Sequence, residues 1–151
     1  MSLGRTAAKV GQGLAAGLVG TLAITTSQMI EMKATGRAPS SAPADAAGKV
    51  LGVQPTGGAE KQRFSQIVHF AYGTSWGAAR GVIGALGLRG PLAMLAHFGA
   101  IWGTEMILLP ALKVSPPVTR WKPKEIAIDA GHHFVYALAA HLAYERLESE
   151  Y

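Results

Sequence analysis

Four long runs of mainly apolar residues divide the chain, at residues 10–30, 64–88, 91–109 and 124–144. Each has roughly the 17–25 residues that an α-helix needs to cross a bilayer. A soluble helix shows a polar face along its length, and the first and third runs have almost none. The pattern therefore predicts an all-α membrane protein with four transmembrane helices in an antiparallel bundle, forming one domain over residues 1–151. A soluble bundle of unusually apolar helices is the alternative.

The first run has one feature of a cleaved signal peptide, because Arg5 and Lys9 precede its apolar stretch. Several glycines interrupt that stretch, however, at Gly11, Gly13, Gly17 and Gly20. We therefore expect this run to be a retained helix.

The connection at residues 31–63 is rich in Pro, Gly, Ala and Ser, which is typical of exposed chain. Within it, residues 43–51 are expected to form a short helix. Ser41 would cap its start, Pro43 suits its first turn, and Gly52 follows its end. Its apolar face would let this helix lie on the membrane surface. A solvated linker is the alternative.

The charge distribution bears on partners and orientation. The chain has 151 residues, 15% of them charged, with a net charge of +5 and no cysteine. The basic residues flank the apolar runs and form no stripe with interleaved aromatics, so we expect no nucleic-acid partner. The side with loops 31–63 and 110–123 carries nine Lys and Arg, counting Lys124, against four on the other side. This predicts a multi-pass protein of the bacterial inner membrane, with the long loops cytoplasmic and both termini outward.

Small residues recur at every fourth position in three of the runs, and the first run contains the pair Gly13 and Gly17. The second contains Gly73, Gly77 and Gly81, and the third contains Gly99 and Gly103. This spacing lets two membrane helices approach closely, so these glycines are predicted to lie in helix contacts. The partner helix could belong to the same chain, to an identical copy or to another subunit.

Ionisable side chains within the four runs are costly in a bilayer and are expected to face the bundle interior. Antiparallel helices with a rise of about 1.5 Å per residue put them in two layers. The layer near the long loops is predicted to contain His69, Glu105, Asp129, His132 and His133. The second layer is predicted to contain Arg80, His97 and His141.

Three interpretations of these layers remain open. The groups could pair across helices and specify packing. They could form a proton or ion path of titratable relays. They could also hold a haem or metal through His, as helix bundles do. No spacing matches a metal signature and no catalytic motif is present, so we assign no metal, cofactor or catalytic residue and expect a non-enzymatic protein.

The segment LLPALKVSPPVTRWKPKEIAIDAGHHFVYALAAHLAYERL resembles the YagU-like family of small bacterial inner-membrane proteins, which has no established function. The resemblance covers about residues 105–147: a helix ending in an apolar Pro-Pro loop, an aromatic and acidic lead-in, and a last helix with a central His. It implies a multi-helix inner-membrane protein without enzymatic chemistry. His132 or His133 would match the family's His, and Glu145–Arg146 its helix end.

These observations lead to a ranked set of functional hypotheses. The first is an accessory or interaction subunit of a membrane assembly, with membrane lipids and other subunits or identical copies as partners. The second is a small proton- or ion-conducting protein that uses the His and carboxylate groups. The third is a haem- or metal-binding membrane subunit.

Overall fold

The computed structural model describes residues 3–53, 55 and 57–149. Over these residues the chain is all-helical, with five α-helices, one short 3-10 helix and no strand. The α-helices are α1 (Leu3–Thr35), α2 (Ala42–Leu51), α3 (Gly58–Ala85), α4 (Gly90–Ala111) and α5 (Pro123–Ser149), with the 3-10 helix at Val118–Arg120. Helices α1, α4 and α5 contain the first, third and fourth apolar runs, whereas α3 ends at Ala85, three residues before the end of the second run. Helix α2 matches the predicted short helix within one residue.

Two of the described helices, α1 and α4, are long and apolar enough to cross a membrane. Helices α3 and α5 are also long, but they do not meet the same test of length and composition. The expectation of four spans is therefore only partly supported by hydropathy. The physical reason is that Ser, Gly, His and charged residues lower the mean hydropathy of α3 and α5.

The long helices pack with alternating direction. Helix α1 runs antiparallel to α3, because Lys9 contacts Gly84 near one end and Thr25 contacts His69 near the other. It also runs antiparallel to α5, where Lys9 pairs with Glu148 and Ser27 bonds to His132. Helix α4 lies antiparallel to α5 and also contacts α3. With these contacts, α3 and α5 lie between α1 and α4.

The contact between α1 and α3 depends on glycine. A Cβ added to Gly77 would lie 2.6 Å from the Cα of Gly17, and one added to Gly81 would lie 2.7 Å from the Cα of Val10. Gly73 has Thr21 against it at a similarly close distance. At Gly77 and Gly81 the two helix backbones therefore touch directly, whereas Gly73 packs against the Thr21 side chain.

The packing prediction for α4 is wrong within this chain. A Cβ added to Gly99 or Gly103 would have no atom within 4 Å. These glycines point away from the bundle, because α4 turns His97, Ala93 and Ile101 toward its neighbours instead. Glycines spaced four residues apart indicate a flat face of small residues, but this spacing does not determine whether that face points toward the bundle or away from it.

The interior of the bundle is unusually polar and its exterior unusually apolar. The largest fully buried side chains are Arg80, Tyr144, His97 and Thr21. On the outside of α5, in contrast, Phe134, Leu138 and Leu142 are 40%, 38% and 58% exposed. Exposed large apolar side chains also lie along α1, α3 and α4, among them Leu18, Leu22, Ile67, Val82, Leu95 and Ile107.

Helix α2 packs against α3 and is tied to the bundle by polar contacts. The Lys61 ammonium lies 2.6 Å from a carboxylate oxygen of Asp45, and this contact holds the pKa of Asp45 below its usual range. Lys49 donates hydrogen bonds to the carbonyls of Leu112 and Lys113. Ser41 does not cap the helix as predicted, because its hydroxyl donates to the Asp45 side chain instead.

The contact between α1 and α3 predicts a sharp difference between two glycines. We expect Gly77→Ala to lower the free energy of unfolding by about 1–3 kcal/mol, because the added methyl overlaps the backbone of α1. Gly99→Ala is the matched control: its methyl enters open space, and alanine favours a helix by up to about 1 kcal/mol. Thermal unfolding in detergent measures both. Equal melting temperatures for the two variants would contradict the packing.

Candidate functional site

A cavity of about 1030 Å³ lies at the end of the bundle where the long loops meet. The four long helices form its walls, and α2 together with the loops at residues 37–40 and 115–121 surrounds the rest. Most of its wall is apolar, with side chains such as Ile24, Met32, Val68 and Leu109. All five residues of the predicted long-loop layer line this cavity. The polar layer is therefore accessible to a ligand that enters the cavity.

Three residues of that layer form a direct cluster between α4 and α5. His133 Nε2 lies 2.6 Å from Glu105 Oε2, and His133 Nδ1 lies 3.7 Å from Asp129 Oδ2. The indole N–H of Trp102 donates to Asp129 Oδ2 at 2.9 Å. Asp129 and His133 are one helical turn apart on α5, which is why they share a face.

The hydrogen bonds around His133 determine where its protons are. Its Nδ1 donates to the backbone carbonyl of Asp129 at 2.9 Å, since a carbonyl can only accept. Its Nε2 faces a second acceptor, the Glu105 carboxylate. The 2.6 Å contact between Nε2 and the Glu105 carboxyl group needs one proton between the two atoms. With that proton shared, the cluster is negatively charged when the Asp129 carboxyl group is ionised.

The other two histidines of the layer bind to α1. His69 Nε2 lies 3.1 Å from Thr25 Oγ1, whose own hydrogen is donated to the Thr21 carbonyl. His69 therefore donates from Nε2. His132 Nδ1 bonds to Ser27 Oγ at 2.8 Å, and its Nε2 lies 3.9 Å from Glu31. The predicted layer thus consists of one cluster and two histidines that are hydrogen-bonded to a different helix.

The second predicted layer is only partly assembled. Arg80 donates to His141 Nδ1 at 3.1 Å, so His141 Nε2 carries the hydrogen that faces Glu145 at 3.4 Å. The Arg80 guanidinium also lies 4.1 Å from the ring centre of Tyr144. His97 is held separately, donating to the Trp76 carbonyl at 2.9 Å. This layer is buried in the bundle and none of its three predicted residues lines the cavity.

The cluster also bears on metal binding, which no spacing in the sequence indicates. One ligand atom each from Glu105, Asp129 and His133 can be chosen so that all three lie within 4.8 Å of one another. No short sequence motif indicates this set, because its members come from two helices. Only Asp129 and His133 are close to each other in the sequence. Comparing residue positions along antiparallel helices predicts that the three residues lie in one layer. It does not predict the distances between their side chains.

Sequence reasoning also missed the partners on which the layer depends. Trp102, Thr25 and Ser27 each donate or accept a hydrogen bond there. Thr25 and Ser27 could have been found, because they are polar residues at matching depth in an apolar run. Trp102 carried no such indication, because its indole ring is mainly apolar and fits an apolar run.

Comparison of the chain with protein-family models, with curated proteins and with solved structures finds no match. What the site can do follows from its own side chains.

Proposed function

We propose that this protein spans the membrane four times, through α1, α3, α4 and α5. The support is the reversal of the usual burial pattern. Arg80, His97 and His141 are buried inside the bundle, whereas the outer face of α5 is formed by Phe134, Leu138 and Leu142. In lipid this arrangement is favourable, because ionisable groups avoid hydrocarbon and apolar groups contact it. The long loops face the cytoplasm and the helices lie in a bacterial inner membrane, as the distribution of Lys and Arg indicates.

Its function, we infer, is to bind a positively charged ligand that enters the cavity from the side of the long loops, without catalysing a reaction. The observation that carries this proposal is the cluster of two carboxyl groups and one imidazole, from Glu105, Asp129 and His133, on the cavity wall. A cation is attracted there, since the apolar surroundings weaken screening by water.

Passage of a cation through the whole bundle is less well supported. Beyond the cavity, toward the termini, the interior contains the guanidinium of Arg80, which is 1% exposed. A fixed positive charge there repels any cation that continues along the bundle axis. Binding from one side fits this charge distribution better than conduction from one side to the other.

The binding proposal is tested with three unlike cations: sodium, tetraphenylphosphonium and zinc. We expect at least one to raise the melting temperature of the purified protein, because a ligand at 100 times its Kd stabilises by about 2.7 kcal/mol. Glu105→Gln and Asp129→Asn should each raise the Kd for the stabilising cation about tenfold or more, and so reduce the rise in melting temperature at a given cation concentration. The control is Glu125→Gln, a carboxyl group on the same cavity wall but outside the cluster.

Two results would contradict the proposal. One is that none of the three cations stabilises the wild-type protein. The other is that the cluster variants respond to the cations as strongly as Glu125→Gln does.

A role as an interaction subunit, which ranks first on the sequence alone, is the second proposal. It is favoured by α4, where Gly99 and Gly103 face open space beside the exposed Leu92, Leu95 and Ile107. A small-residue face of this kind lets a helix from another chain approach closely.

This second proposal predicts cross-linking through α4. In a chain without native cysteine, Gly103→Cys should form a disulfide-linked dimer, or a link to another subunit, when membranes are oxidised. Val82→Cys on the exposed face of α3 is the control. If both variants remain monomeric on a non-reducing gel, or if both cross-link equally, α4 is not the contact face.

A further inference from the structure

We propose that Glu105, Asp129 and His133 form a binding site for a divalent transition-metal ion, with open coordination positions facing the cavity. This inference rests on the proposed cation-binding function and names the class of cation. The three residues come from two neighbouring helices, so the site requires the folded bundle.

The distances are compatible with one shared ion. Metal bonds of about 2.0–2.2 Å to nitrogen and oxygen place ligand atoms roughly 3.3 Å apart in a tetrahedral site. The chosen ligand atoms of the three residues all lie within 4.8 Å of one another. The pair His133 Nε2 and Glu105 Oε2, now 2.6 Å apart, would separate slightly as an ion replaces the proton between them.

The orientation of His133 is the arrangement that a metal ligand needs. Histidines that bind metals commonly donate the other ring N–H to a carbonyl or carboxylate, which fixes the ring and exposes the coordinating nitrogen. His133 Nδ1 donates to the Asp129 carbonyl, which leaves Nε2 to coordinate. Trp102 provides the equivalent support for a carboxylate, because its N–H holds Asp129 Oδ2 at 2.9 Å.

The ligand set selects the class of metal. Calcium prefers six to eight oxygen ligands, and magnesium keeps several waters and an octahedral oxygen shell. One imidazole and two carboxylates suit zinc, cobalt, iron or manganese instead. Three protein ligands leave at least one position for water or a small molecule, and the cavity provides the space for it.

The test uses the full-length protein in detergent, with zinc and cobalt as probes. We expect one metal ion per chain by equilibrium dialysis, and an absorption band of protein-bound cobalt that zinc displaces. Magnesium and calcium should bind at least tenfold more weakly. Glu105→Gln and Asp129→Asn keep the shape of the side chains, and each should weaken zinc binding about 10- to 100-fold, as should His133→Gln.

The controls separate this site from any imidazole near the cavity. His132→Gln removes the neighbouring cavity-lining histidine and should leave zinc affinity unchanged. Trp102→Phe removes only the N–H that holds Asp129, and should weaken binding about tenfold and shift the cobalt band.

The inference is overturned if zinc and cobalt fail to bind stoichiometrically, or if His132→Gln weakens binding as much as His133→Gln. If sodium or tetraphenylphosphonium stabilises the protein through Glu105 and Asp129 while zinc and cobalt do not bind, the metal site is rejected and the cation-binding function stands. If no cation binds, both proposals fail.

Discussion

Polar side chains buried within the bundle need hydrogen-bond partners, and the packing of the helices depends on this requirement. Arg80, His97, His132 and His141 are buried among helices whose outer faces are largely apolar. An unpaired polar group in such surroundings costs several kcal/mol, so each of these side chains places at least one polar atom against a partner on a neighbouring helix. Among the described residues, Arg80 Nε and Nη1, His97 Nδ1 and His132 Nε2 have no hydrogen-bond partner. Arg80 donates to His141, His97 to a backbone carbonyl of α3, and His132 bonds to Ser27 of α1. These pairs set the register between helices.

Close backbone packing makes this pairing geometrically possible. Glycines on α1 and α3 bring the two helices into direct contact along much of their length. The short separation lets the hydroxyl groups of Thr25 and Ser27 reach histidines on the facing helices. Toward the long loops the helices diverge enough to enclose the cavity, and the cluster of Glu105, Asp129 and His133 faces that space. The same bundle is thus tightly packed at the end near the termini and open at the other end.

Much of this arrangement follows from the sequence, for reasons that particular elements make clear. The apolar runs predict the four long helices because their length and flanking residues are local properties. Pro43 and Gly52 similarly mark both ends of α2. The direction in which α4 presents Gly99 and Gly103 is not local, since it depends on which face the other helices cover. The same holds for the contact of His133 with Glu105, which needs the relative rotation of two helices. The position of each residue along the bundle axis could be predicted from the sequence. The rotation of each helix about its own axis could not.

The proposed topology requires that α5, despite its histidines and acidic residues, lies in the membrane with its apolar face toward lipid. Spin labels attached at Phe134→Cys, Leu138→Cys and Leu142→Cys in reconstituted bilayers test it directly by electron paramagnetic resonance. The account predicts high accessibility to oxygen and low accessibility to a water-soluble nickel chelate at all three positions. Accessibility to the chelate at Leu138→Cys equal to that of a label at the exposed loop position Ser41→Cys would contradict it.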